Sequence, residues 1–158
     1  MKRGFVVASL LLPLVLAAQP LALPGPPDAK LEQRPGARLP LDLAVVDEAG
    51  HAQRLADFFD GRRTVLLVPG YHRCPQLCGL VMHGLLDALQ ASGVDRAQWR
   101  IVRFSIAPSE TPADARARRD AEAGYAQFAF GLRAADAPLD LHLLTLTEAD
   151  ARSLAGAI

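Results

Sequence analysis

The chain has 158 residues, enough for one domain with a core of its own. Half of the residues are apolar, and 17 basic side chains balance 17 acidic ones. That balance excludes the electrostatic attraction on which binding to nucleic acid or an anionic surface rests.

Lys2 and Arg3 precede an apolar run from Phe5 to Ala18, interrupted by Pro13. A charged start and an apolar stretch too short to span a bilayer comfortably read as a signal peptide over residues 1–18, with a retained membrane anchor as the alternative. Val15 with Ala17, or Leu16 with Ala18, offers side chains small enough for cleavage. Export to a bacterial periplasm is expected, where thiols can be oxidised. Residues 19–38 are polar and rich in proline (Pro20, Pro24, Pro26, Pro27, Pro35), an extended linker with no core of its own.

The folded domain is expected over 39–158. Leu41, Leu43 and Val45 alternate with other residues, Asp47-Glu48-Ala49-Gly50 supplies turn chemistry, and 51–55 returns as the second strand of a hairpin. His51 falls at its tip, as a solvated loop histidine. Residues 57–63 read as a short helical turn. Thr64–Val68 is wholly apolar and short, the pattern of a buried strand. From Leu80 to Leu89 the apolar residues recur at helical spacing, and Pro75 suits the first turn of that helix. Ile101–Ile106 makes the next strand. Thr111-Pro112 opens a helix to about Phe130, with Tyr125, Phe128 and Leu132 turned to the core. Leu139–Thr145 is a third strand, and Thr147 with Asp150 caps a last helix over 148–158. Strands alternating with helices after a hairpin imply an α/β sheet with right-handed crossovers.

Both cysteines lie in Tyr71-His-Arg-Cys-Pro-Gln-Leu-Cys78-Gly, between the buried strand and the helix. At i and i+4, Cys74 and Cys78 share one face of the first helical turn. Free N–H groups and the helix dipole there favour the thiolate. Two such sulfurs can hold a soft ion such as Cu(I), or cycle between dithiol and disulfide. Structural zinc needs four N or S ligands. A purely structural disulfide would close so short a loop that it contributes only about 2 kcal/mol. His72 reads as a solvent-facing loop residue rather than a ligand, His83 as structural, and Met82 as core filler despite its thioether. A cysteine pair at the carboxyl end of a central strand, where sites in such sheets lie, fits a thioredoxin-like architecture.

Several stretches resemble the Sco/SenC family of copper chaperones: Leu39-Pro-Leu-Asp-Leu, Asp47-Glu-Ala-Gly, Val65-Leu-Leu-Val, Tyr71…Cys74-Pro-Gln-Leu-Cys78-Gly-Leu, Ser105-Ile-Ala-Pro-Ser-Glu-Thr-Pro112 and His142-Leu-Leu-Thr145. The resemblance covers residues 33–158. It implies a thioredoxin-like three-layer fold that carries copper, with Cys74 and Cys78 as the two sulfur ligands and the redox pair. It implies, as partner, the copper-site subunit of cytochrome c oxidase, whose binuclear centre would be metallated or its cysteines reduced, or another copper or thiol protein. In the family a histidine beyond the last helix completes the copper site, and a C-terminal hairpin and helix complete the sheet. This chain ends at Ile158, before both, which implies a fragment with an unpaired sheet edge. His142 lies in the preceding strand and reads as a partly buried strand histidine. Ala107 stands where the family usually carries an acid. The other function class is a thiol–disulfide oxidoreductase, although dedicated reductases of this fold use C-x-x-C. A peroxidase would need a Thr or Ser close to Cys74, which the stretch from Thr64 to Cys78 does not offer.

Overall fold

The computed structural model describes residues 33–133 and 136–158. The signal peptide or anchor expected over residues 1–18 and most of the linker expected over 19–38 fall outside them. Gln33–Ile158 forms one compact unit. Among the described residues no helix is long and apolar enough to cross a membrane.

The hairpin pairs β1 (Ala44–Val46) with β2 (Ala52–Arg54), Val45 facing Gln53 across the ladder. Asp47 fixes its turn, accepting the N–H groups of Ala49 and His51 at 2.9 and 2.8 Å. A single 3-10 turn follows at Leu55–Phe58, earlier and shorter than the sequence suggests. The main sheet is parallel and three-stranded: β3 (Thr64–Gly70), β4 (Trp99–Ser105) and β5 (Leu141–Leu144), in the order β3-β4-β5. Helix α1 (Leu77–Ser92) crosses from β3 to β4, α2 (Pro112–Ala129) from β4 to β5, and α3 (Glu148–Ala155) follows β5. The Thr111-Pro112 signal is a complete capping box, with Thr111 and Asp114 each accepting the other's backbone N–H. Gly93 ends α1 in the left-handed region (φ 68°), where any other residue would be strained.

Period-two alternation sorts the core onto two faces. Ile101, Leu141 and Leu143 pack with Met82 and Leu86 of α1 and with Ala115 and Ala126 of α2. Val102, Phe104 and Leu144 pack on the other face with Val45, Leu55, Phe58 and Leu154. Helices, sheet, then hairpin with α3 make three layers, the thioredoxin-like fold that the sequence implies. Met82 is fully buried, as core filler.

Three expectations are corrected. Among the described residues β3 is an edge strand, in keeping with the unpaired sheet edge expected, and not the central one: β4 takes the centre, and the hairpin joins beyond β5 through a bridge between Val46 and Thr145. The apolar run Val65–Val68 is therefore only half-buried. Phe128 is 84% exposed, because the face of α2 that packs inward carries Ala115, Glu122 and Ala126 instead. Pro75 lies ahead of the helix cap, Gln76, rather than within the first turn.

Candidate functional site

Strand β3 ends at Gly70, and the chain turns through residues 71–76 into α1. The cap residue Gln76 makes no side-chain cap bond. Cys74 serves instead: the N–H of Cys78 donates to its Sγ at 3.4 Å. Sulfur thus sits at the positive end of the helix, where a thiolate is favoured. The Cys74 thiol is drawn down to about 7, first by that N–H, then by the backbone of Gln76, the Cys78 side chain and the nearby Arg118 charge. Both cysteines are half-buried and free. The disulfide reading is corrected accordingly: Cys74 Sγ caps the helix and is not bonded to Cys78.

Charged side chains from other elements hold the loop that carries Cys74. Arg103, buried in β4, donates to the carbonyl of Tyr71 at 2.8 Å. Arg118 of α2 donates through Nε to the carbonyl of His72 at 2.8 Å and through Nη2 to that of Cys74. Glu110, ahead of α2, accepts the N–H groups of His72 and Arg73 at 2.8 and 2.7 Å, and the hydroxyl of Ser105 at 2.5 Å. Burial would raise the Glu110 carboxyl, but these donors together hold it below its ordinary value. The approach at Gly70 is close, since a Cβ there would stand 3.0 Å from Arg103 Nη2 and the buried guanidinium would have to give way. Arg103 is itself paired with Glu122 of α2, and both are 1% exposed. Burial pushes Glu122 up to about 7, against the pull of Arg103.

Sequence reasoning missed these residues. Arg103 and Glu122 look like the outward polar positions of a strand and a helix. Glu110 had a signal, an acid just ahead of the Thr111-Pro112 cap and close to Ala107, where an acid was expected.

The histidines are sorted clearly. His72 is 3% exposed, contrary to the solvent-facing expectation, with Nε2 3.1 Å from the carbonyl of Leu144. Burial holds its pKa below the ordinary value. It is a buried strut: Nε2–H donates to the Leu144 carbonyl, which leaves the lone pair on Nδ1, an atom buried without a hydrogen-bond partner. His142 is half-buried on β5, 2.9 Å from Asp140 and edge-on to Phe58, as a strand histidine. His83 stacks on Tyr125 with ring centroids 3.6 Å apart, a structural contact. Among the described residues no cluster of three or more His, Cys, Asp or Glu side chains could hold a metal.

Strand, tight turn and helix, with two free thiols at the turn, define a thioredoxin-like thiol domain. No protein-family model and no curated protein matches the chain. Solved structures do, and the fold is that of the Sco/SenC proteins. Arabidopsis thaliana ScoI with copper bound matches at 14% identity and a TM-score of 0.55, over 73% of this chain and 62% of that one. Yeast Sco1 matches at 14% identity and a TM-score of 0.55, over 79% and 70%. A SCO1/SenC family lipoprotein from Bacillus anthracis matches at 14% identity and a TM-score of 0.51, over 74% and 64%. The chain spans roughly two thirds of the length of the structures it matches.

Proposed function

We infer that this protein is an exported carrier of copper, which it binds as cargo through the sulfurs of Cys74 and Cys78. One observation carries the reading: two free thiols meet at one helix start, one of them ionised in part at neutral pH. Soft thiolates suit Cu(I). Among the described residues no third His, Cys, Asp or Glu side chain joins the two sulfurs in a metal-holding cluster, so the remaining coordination falls to solvent or to a recipient protein, and an unfilled shell lets a recipient's thiols take the ion by exchange. A copper-bound Sco structure shares the fold, which supports this reading. The natural recipient is the copper-site subunit of cytochrome c oxidase or another copper protein. Export to the periplasm accords with the leader and with a lipoprotein that shares the fold.

The lowered Cys74 thiol favours a second reading, thiol–disulfide exchange. The Cys74 thiolate would attack a partner disulfide and release one partner thiolate. Cys78 would then attack Cys74 Sγ, releasing the second and leaving the Cys74–Cys78 disulfide.

Anaerobic Cu(I) titration of the reduced chain against a competing chelator separates the two. Stoichiometric retention, lost in Cys74→Ser/Cys78→Ser, is expected. A folded chain that retains no copper yet reduces a disulfide substrate would replace the carrier with the oxidoreductase.

A further inference from the structure

Among the described residues, Arg118 is the cation beside the thiol loop that no carboxylate holds by direct contact. Arg103 is paired with Glu122, and Arg73 stands 4.0 Å from Glu110. Arg118 bonds instead to two neutral oxygens, the carbonyls of His72 and Cys74. Its charge acts on Glu122, but that carboxylate is bonded to Arg103. On the other arm of the fork, Nη1 would stand 3.6 Å from a Cβ on Gly79, the residue after Cys78. The guanidinium thus reaches from the backbone of one cysteine to the first helical turn beside the other. It is half-buried, so solvent screens its field only in part, and its charge is fixed at any working pH.

The charge of the loaded site depends on the ion it holds. A monovalent ion on two thiolates leaves one net negative charge, whereas a divalent ion on the same two leaves none. Whatever protons the empty site carries, the two complexes differ by one full unit. A fixed positive charge beside the sulfurs therefore favours the monovalent ion by the whole of its interaction with that unit. Softness alone does not make the distinction, because thiolates suit zinc as well as Cu(I). The amino end of α1 acts in the same sense with about half a unit of charge. Arg118 supplies a full one.

We propose that Arg118 is a specificity-determining residue of the thiol pair, selecting Cu(I) over divalent ions through the charge of the complex. The inference rests on the copper reading and adds the basis of selection to it. Cys74 and Cys78 remain the ligands, and Arg118 acts on the charge they carry once loaded. Its two tasks are separable. The bonds to the His72 and Cys74 carbonyls hold the loop, which serves any ion on the two sulfurs alike. The positive charge serves only the complex that is left negative.

Anaerobic competition titrations of the reduced full chain test it, giving the affinities for Cu(I) and for Zn(II), a divalent ion without redox chemistry. Wild type is compared with Arg118→Met, Arg118→Gln and Arg118→Lys, and circular dichroism confirms that each folds. A loosened loop weakens both ions alike and cancels in the ratio of the two affinities. Arg118→Met should lower the ratio of Cu(I) to Zn(II) affinity at least tenfold. Arg118→Gln is as neutral but keeps a donor for one carbonyl; it should lower the ratio equally, and it stands in should Arg118→Met fail to fold. Arg118→Lys keeps the charge without the two-carbonyl fork and should recover most of the ratio. A ratio that the neutral variants leave unchanged overturns the proposal and leaves the copper carrier standing. So does an Arg118→Lys ratio as low as theirs. A wild type that retains no Cu(I) overturns the carrier reading and this proposal with it.

Discussion

Arg118 and Cys74 are joined through the backbone: the guanidinium of Arg118 donates to the carbonyl of Cys74 and, at 2.8 Å, to that of His72. A cation from α2 thus fixes the loop and lies close to its sulfur. The Cys78 N–H remains the main cause of the lowered thiol, with Arg118 adding to it. In a Cys78→Ser background, which keeps the residue-78 N–H, the alkylation rate of Cys74 should therefore titrate with a midpoint below the ordinary thiol value. Adding Arg118→Met should move that midpoint up and slow alkylation at pH 7 severalfold. An unmoved midpoint would sink the role given to Arg118.

Glu110 should govern stability in acid. Its folded pKa lies below the unfolded value, so its contribution is present above about 4.5 and is lost as pH falls through the folded value. His72 acts earlier and in the same direction. Burial holds it below 6.5, so from that pH downward the unfolded chain takes a proton that the folded chain refuses. Urea unfolding from pH 7 to pH 3 should show stability falling in both windows. Glu110→Gln should cost about 2–3 kcal/mol at pH 7, because two backbone N–H groups lose a charged acceptor, and should flatten the lower window. A variant with the wild-type acid limb would refute the assignment.

Phe128 and Tyr125 should part company on substitution. Phe128 is 84% exposed, so Phe128→Ser should change stability by less than about 0.5 kcal/mol. Tyr125 stacks on His83 and donates to Asp87 at 2.8 Å, so Tyr125→Ala should cost about 1–2 kcal/mol. Thermal melts that rank the two the other way would contradict the packing.

Local signals carried most of the fold. The hairpin, the Thr111-Pro112-Ala113-Asp114 box and the strand–turn–helix around the cysteines depend on neighbours in sequence, so they could be read there. Strand order could not. Val65–Val68 is apolar on both faces, which suits a central strand, and only the pairing beyond β5 shows that the hairpin lies elsewhere. The thiol pair was legible because its two residues lie four apart. The residues that grip its loop were not: Arg103, Glu110 and Arg118 reach it from 32 to 46 positions away. His72 was misjudged for the same reason, since its burial comes from Leu144, 72 residues on.

The buried pair of Arg103 and Glu122 gives the strongest test of that grip. Two charges at 1% exposure persist only while each has the other. Glu122→Leu leaves Arg103 buried with one neutral acceptor, the Tyr71 carbonyl, and should cost about 3–5 kcal/mol. Arg103→Met added to it removes the stranded charge and should restore part of that loss, for a coupling of about 2 kcal/mol. Full recovery is not expected, because the Tyr71 carbonyl loses its donor and the loop ahead of Cys74 loosens. Chemical unfolding of the two single variants and the double variant supplies the cycle. Additive losses would mean that the two side chains are solvated separately and that the loop is held by Arg118 and Glu110 alone.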